Sequence, residues 1–396
     1  MRQVGIYDKY LGWVKMVVPL CLFTLLLFGA CRTDDIIIYA EDEDIGIITT
    51  PSEVVGMYVL NEGNMGSNKC TLDYLEFSDS TIHYHRNIFA ERNPSEVKEL
   101  GDVGNDIQIY GSRLWLVINC SNKVEVCRAS DAVKIGKVDI PNCRYVTFDG
   151  GYAYVSSYVG PVSVDSNAPR GRVYKVDTLT LQKVDSVVVG YQPEEMAVVD
   201  GKLYVANSGG YRVPDYDQTV SVVDLASFTE ERQIDVAVNL HRCRVDRYGQ
   251  LWVTSRGDYY DIQPKLYCLS KGLGDEMTVV DSFDVPVTDL CIVGDSLYYM
   301  GSSFNYFTME YDRMMGILNV RTNEMVTTQL STAPEAAAIV QPYGIIVNPQ
   351  THDFYLMDAK NYFSSGELLH FNADGTFDYK VRTGDIPGHA VFLMKE

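Results

Sequence analysis

Positive charge is scarce in this chain. Lys and Arg number 33 against 53 Asp and Glu, giving a net charge of −20 over 396 residues. A nucleic-acid backbone is bound through a basic footprint, so that class of partner is excluded. Catalytic signatures are scarce too: there is no GxSxG elbow, no P-loop and no HExxH. Nor is there a CxxC or Cys–His spacing of the kind that holds a metal. Long hydrophobic runs are absent, and the one apolar stretch, 17–28, is short for a membrane span.

The 46% hydrophobic content is enough for a large buried core. Seven aromatic residues, Tyr58, Trp115, Tyr154, Tyr204, Trp252, Tyr298 and Tyr355, each take the third place of a short alternating run: GMYVLNE, RLWLVIN, YAYVSSY, KLYVANS, QLWVTSR, SLYYMGS and DFYLMDA. All but the first are preceded by another apolar stretch across a tight Gly, Asp or Asn turn, the pattern of a hairpin. Two further alternating segments follow, as in RVYKVD from Arg172 and KVDSVVVG from Lys183. A repeat built only of four strands predicts an all-β, seven-bladed β-propeller with four-stranded blades, in preference to a β-sandwich pair or an open solenoid. The first unit lacks an innermost strand, and the chain ends on one spare strand, GHAVFLMKE. Residues 389–393 are therefore expected to complete the N-terminal blade, which removes a free sheet edge.

Residues 1–30 read as a lipoprotein signal peptide that ends in FGAC, with lipidation expected on Cys31; a plain transmembrane anchor is the alternative. Acyl chains on Cys31 would hold the protein to a bilayer. Residues 31–53 read as the lipidated cysteine followed by an acidic tether, and 54–396 as the propeller. Of the nine Cys, Cys21 would leave with the signal and Cys31 would be lipidated. The remaining seven, Cys70, Cys120, Cys127, Cys143, Cys243, Cys268 and Cys291, lie mostly in strand patterns and read as buried, inert thiols.

In a four-stranded blade the loop between strands two and three opens on the same face as the blade-to-blade connection. Six such loops, 61–69, 157–172, 207–218, 255–265, 301–313 and 358–366, are long and unlike one another. They carry Asn64, Tyr158, Arg170, Tyr211, Arg212, Tyr216, Arg256, Tyr259, Tyr260, Phe304, Tyr306, Phe307, Tyr362 and Phe363, the candidate ligand-binding residues. Aromatic side chains on loops that need no core point to contact with a partner. Tyr with Asn suits a bulky, mostly neutral, amphipathic ligand. His83, His85, His352 and His370 fall on outer strands or turns and are expected at the surface. His241, His389, Glu194, Glu195 and Asp289 begin innermost strands. Such a ring can hold a metal in a lyase or hydrolase propeller, or can serve as interblade hydrogen bonds.

The stretches YVLNEGNMGSNKCTLDYLEF and LGDVGNDIQIYGSRLWLVINCSNKVEV, with the signal and the acidic pair Asp34–Asp35 after Cys31, resemble the YncE-like propeller lipoproteins of Bacteroides-type bacteria. Within these the chain is most similar to the BtuG surface proteins. The resemblance implies a protein anchored in the outer membrane and facing the cell exterior. It implies cobalamin (vitamin B12) as the bound ligand and a BtuB-type TonB-dependent transporter as partner, with no catalytic residues and no cofactor. Tyr and Phe suit the flat corrin, Asn and Ser its amides, and a loop arginine such as Arg170, Arg212, Arg256 or Arg313 its phosphate. A glycan would also suit aromatic platforms, and remains the alternative within the binding class.

Overall fold

The computed structural model describes residues 39–47, 53–78, 81–272, 276–305 and 309–395. The expected signal peptide and Cys31 lie outside them, as do Tyr306 and Phe307. The described chain forms seven antiparallel sheets. In ring order their innermost strands are Pro387–Met394, Gly104–Tyr110, Cys143–Asp149, Pro193–Val199, Leu240–Val245, Asp289–Val293 and Pro342–Val347, for blades 1 to 7. The chain is a seven-bladed β-propeller. It closes as expected: Pro387–Met394 pairs antiparallel with Val54–Asn61, with Tyr58 opposite Val391 and Leu60 opposite His389.

Period-two alternation explains the packing, because every second strand is buried on both faces. In Arg113–Ile118, Trp115 and Val117 pack towards blade 3, while Leu114, Leu116 and Ile118 pack towards blade 1. The same division repeats around the ring and yields seven apolar clusters, one at each interface between neighbouring blades. Each repeat aromatic points towards the next blade in ring order, with Tyr355 of blade 7 pointing into the cluster it shares with blade 1. All seven are buried, and each contributes on the order of 1.5–3 kcal/mol of burial. Several place their polar atom on a partner: Tyr58 Oη donates to Ala129 O of blade 2 at 2.8 Å, Trp252 Nε1 to Asp246 at 2.9 Å, and Tyr355 Oη lies 3.1 Å from Tyr379 Oη, whereas Trp115 Nε1 is buried without one among the described residues. At the closure, a Cβ on Gly344 would meet Gly388 O at 2.6 Å, so only glycine lets blade 7 approach the closing strand this closely.

Three expectations need correction. Part of the acidic tether is ordered sheet: Glu41–Ile47 adds a fifth strand to the outer edge of blade 1, beside Thr81–Arg86. Its charges explain the pairing, since Asp42 lies opposite His85 and Asp44 opposite His83, with hydrogen bonds of 2.7 and 2.5 Å. The expected loop at 301–313 is largely a hairpin, because strands Ser296–Asn305 and Glu310–Asn319 continue past the body of blade 6 in unbroken register. His370 is buried rather than superficial. Its ring nitrogens face Asp353 at 2.9 Å and Asp378 at 3.2 Å, and the ring lies between Tyr355 and Tyr379.

Candidate functional site

The start of each innermost strand sets the site. In six of the seven blades the register between the innermost and second strands slips there: near Gly104, Cys143, Pro193, Leu240, Pro342 and Pro387. A bulge of this kind turns a side chain away from the pleat. One residue per blade, Asn105, Arg144, Glu194, His241, Thr288, Tyr343 and His389, lines the same central cavity. The residue that follows has a different task in alternate blades. Asp106 accepts Val146 N–H at 2.9 Å, Glu195 accepts Cys243 N–H at 2.9 Å and Asp289 accepts Ile345 N–H at 3.0 Å, each from the next blade. Glu195 and Asp289 are thus interblade clamps, one of the two roles open to them from the sequence.

The cavity has a volume of about 1090 Å3 and opens between the loops that follow the second strands. Its upper wall carries Met65, Val162, Val164, Tyr211, Tyr259, Tyr260, Ile262, Phe304, Tyr311 and Tyr362. Tyr259 and Tyr260 are 58% and 69% exposed at the mouth, whereas Tyr158 is 4% exposed at the base. The extended hairpin of blade 6 supplies an aromatic pair, Phe304 edge-on to Tyr311 at 5.2 Å.

Polar groups hold the base. Arg144 Nε and Arg256 Nη1 each donate to Glu194 at 3.1 Å, and Tyr158 Oη donates to the same carboxylate. Burial alone would raise the Glu194 pKa, but Arg144 and Arg256 outweigh it and hold this carboxyl below the usual range. Tyr145 Oη lies 2.7 Å from His241 Nε2. Burial, then Arg256, Arg242 and Arg144, push the His241 pKa well below the ordinary imidazole value, so its ring is neutral at pH 7. Across the ring Glu62 faces Tyr343 Oη at 3.0 Å and His389 Nε2 at 3.3 Å. Among the described residues no three His, Cys, Asp or Glu side chains are grouped so as to hold a metal ion.

Seven of the sequence candidates line this cavity: Tyr158, Tyr211, Arg256, Tyr259, Tyr260, Phe304 and Tyr362. Five do not, and their contacts say why. Asn64 donates to Tyr362 O, bracing two loops. Arg170 reaches Glu230 at 3.1 Å and Val189 O at 2.7 Å, away from the mouth. Arg212 lies over Tyr191, 3.7 Å from the ring centre, and donates to Ser166 O and Asp215 O. Tyr216 Oη donates to Asp258 O at 3.3 Å, and Phe363 is 77% exposed outside the cavity. Arg313 is likewise spent on Val340 O at 2.8 Å. Of the four arginines considered for a phosphate, Arg256 alone lines the cavity. Sequence reasoning missed Arg144, Tyr145, Arg242 and Tyr343 as lining residues. Superposing the seven innermost-strand starts on one another would have found them.

The family model described as Domain of unknown function (DUF5074) matches residues 55–383, the whole ring but its closing strand. The chain belongs to the DUF5074 family. No curated protein matches it. Among solved structures this DUF5074 propeller is similar to hydrazine synthase from Kuenenia stuttgartiensis, with a TM-score of 0.56 and 15% identity over 72% of this chain and 88% of that one. It is similar to a quinonprotein alcohol dehydrogenase-like protein from Bacteroides thetaiotaomicron, with a TM-score of 0.55 and 10% identity over 92% and 97% of the two chains. It is also similar to the Pan2 WD40 domain of Neurospora crassa, with a TM-score of 0.50 and 11% identity over 72% and 80%. These likenesses carry the fold alone.

Proposed function

We propose that this DUF5074 propeller is a non-catalytic, lipid-anchored protein of the outer cell surface that captures cobalamin in its central cavity. It then passes the ligand to a BtuB-type TonB-dependent outer-membrane transporter, as the YncE-like and BtuG resemblance implies. The observation that supports this reading is the cavity. Its volume of about 1090 Å3 exceeds the roughly 300–1,000 Å3 usual for small-molecule sites. It joins broad Tyr and Phe faces at the mouth to amide and guanidinium donors at the base. A flat corrin rimmed by amides needs that combination. The ionisable groups at the base are engaged with one another rather than arranged as a nucleophile and its base, which favours a binder.

Equilibrium titration of the purified protein with cyanocobalamin, set against a glycan panel, tests the reading. Saturable binding of cyanocobalamin at micromolar concentrations or below is expected. No calorimetric signal and no thermal shift would sink it. Binding of a glycan in its place would favour the second reading, which the exposed pair Tyr259–Tyr260 at the mouth supports, since pyranose rings stack on such platforms. The address is tested separately: Cys31→Ala should release the protein from the membrane, and external protease should reach the wild-type domain on intact cells.

A further inference from the structure

The base of the cavity is not electrically uniform. Arg242 and Arg244 face Glu195 and Asp289 in a closed network. Arg242 lies 3.2 Å from Asp289 and 3.8 Å from Glu195, and Arg244 lies 3.2 and 3.1 Å from the same two carboxylates. Two cations balance two anions there. Beside them Arg144 and Arg256 share Glu194 alone, each at 3.1 Å. On this side of the base two guanidiniums meet one carboxylate, a local excess of positive charge, with Glu62 and Asp106 lying elsewhere around it. Asp106 does not line the cavity and is occupied by the N–H groups of Ile107, Gln108 and Val146. Glu62, the other carboxylate of the lining, belongs to blade 1 and is taken by Tyr343 and His389.

Two further features show what that charge is for. Arg242 is 3% exposed and lines the cavity, yet its Nη1 is buried with no hydrogen-bond partner among the described residues, the Glu195 carboxylate it faces being 3.8 Å away. A buried donor without an acceptor is rare in a folded protein, and points to a missing acceptor. The guanidiniums are also fixed in place. Arg242 lies 5.4 Å and Arg144 6.0 Å from the centre of the Tyr145 ring, and Arg144 lies 4.9 Å over Tyr158. Stacking holds a guanidinium by its face and leaves its N–H edge to bond in plane. The three arginines together suit the paired oxygens of a phosphate or carboxylate.

We infer that Arg144, Arg242 and Arg256 form an anion subsite at the base of the cavity, which takes the phosphate or carboxylate oxygens of the captured ligand. The inference rests on the reading that this cavity holds the ligand, and not on that ligand being a cobalamin. The surrounding charge sharpens it. A chain of net charge −20 repels small free anions at long range. A large ligand can offset that repulsion through its contacts with the aromatic mouth, and so delivers its anionic group to a partly buried site where salt screens less. The ligand class is therefore a bulky neutral body with a single phosphate or carboxylate. Arg144 and Arg256 on blades 3 and 5 orient that group away from Glu62.

The test titrates wild type and Arg256→Gln with cyanocobalamin, which carries a phosphodiester, and with dicyanocobinamide, which lacks it. Thermal melting establishes that the variant is folded, and Arg256→Lys serves as a second, charge-conserving variant. Arg256→Gln should weaken cyanocobalamin binding at least tenfold and cobinamide binding far less, with Arg256→Lys between. In a second arm, phenyl phosphate and benzoate are titrated alone against chloride at equal ionic strength. One of them should stabilise the wild type but not Arg256→Gln, and which one does so identifies the anion as phosphate or carboxylate. If neither corrin binds but the anion arm responds, the cobalamin reading falls and the subsite stands. If cyanocobalamin binds, Arg256→Gln affects both corrins alike, and neither anion distinguishes the variant from the wild type, the subsite is refuted.

Discussion

Replacing Asp289 by alanine tests the idea that carboxylates on alternate innermost strands clamp the ring. Asp289 is 4% exposed and has three partners: Ile345 N–H of blade 7 at 3.0 Å, and the guanidiniums of Arg242 and Arg244, each at 3.2 Å. Its removal leaves the buried Arg242 and the half-buried Arg244 to share Glu195. Breaking a buried pair by deleting one partner costs about 3–5 kcal/mol. The stranded Ile345 N–H adds about 1–3 kcal/mol. Water entering from the adjoining cavity relieves part of both, so the expected net loss is about 4 kcal/mol. Asp289→Asn keeps the volume and one acceptor but removes the charge, and should cost about half as much. Asp139, 71% exposed and paired with Lys137 at 2.7 Å, supplies the control; Asp139→Ala should cost less than about 0.5 kcal/mol. Urea unfolding followed by tryptophan fluorescence and circular dichroism gives the differences, provided the slope is unchanged. If Asp289→Ala shifts stability no more than Asp139→Ala, the clamp is not a stabilising element and the reasoning is wrong.

Ending the chain after Gly388 removes the strand partners of Tyr58 and Leu60; the truncated protein should melt far below the full chain or fail to fold, and an unchanged melting temperature would refute the closure. The neutral ring of His241 predicts a pH dependence with a definite sign. Its folded pKa lies well below the ordinary 6.5, so the unfolded chain binds the extra proton and stability falls as pH drops through and below about 6.5. Between pH 7.5 and 5.5 the wild type should lose about 1.4 kcal/mol more than His241→Gln, and parallel profiles by urea titration would contradict this. Replacing Tyr259 and Tyr260 together by alanine should weaken ligand binding by about 1–3 kcal/mol per well-packed ring with the melting temperature unchanged, because both side chains are exposed. Unaltered affinity would place the ligand elsewhere.

How far the sequence could be read depends on how local each signal is. Strand alternation and the repeat aromatic are local, and each second strand is buried on both faces, so Trp115 and its six counterparts announced blade number directly, while the spare strand GHAVFLMKE announced the closure. The aromatic loops announced the mouth, where Tyr259, Tyr260 and Tyr362 have no core to explain them. The base was harder, because Arg144, Glu194, His241 and Tyr343 come together only when seven distant strands meet at the axis, and a bulge rather than simple alternation turns them inward. Glu41–Ile47 was misread because acidic residues favour solvent in isolation; its strand depends on His83, His85 and Arg86 across the ladder. The blade 6 hairpin hid because Gly301, Ser302 and Ser303 look like a turn, although they lie in continuous register opposite Met314, Arg313 and Asp312 respectively. Arg170 and Arg212 looked available in sequence, but carbonyls and carboxylates of their own surroundings take up both.

The central claim is that the cavity between the second-strand loops receives the ligand, and amide hydrogen exchange on the purified protein with and without saturating cyanocobalamin tests it most directly. The account predicts protection concentrated around the lining residues Tyr211, Tyr259, Tyr260, Ser303 and Phe304 and at the starts of the innermost strands near Arg144, Glu194 and His241. Protection on the outer strands with no change at the mouth, or no protection anywhere, would contradict it.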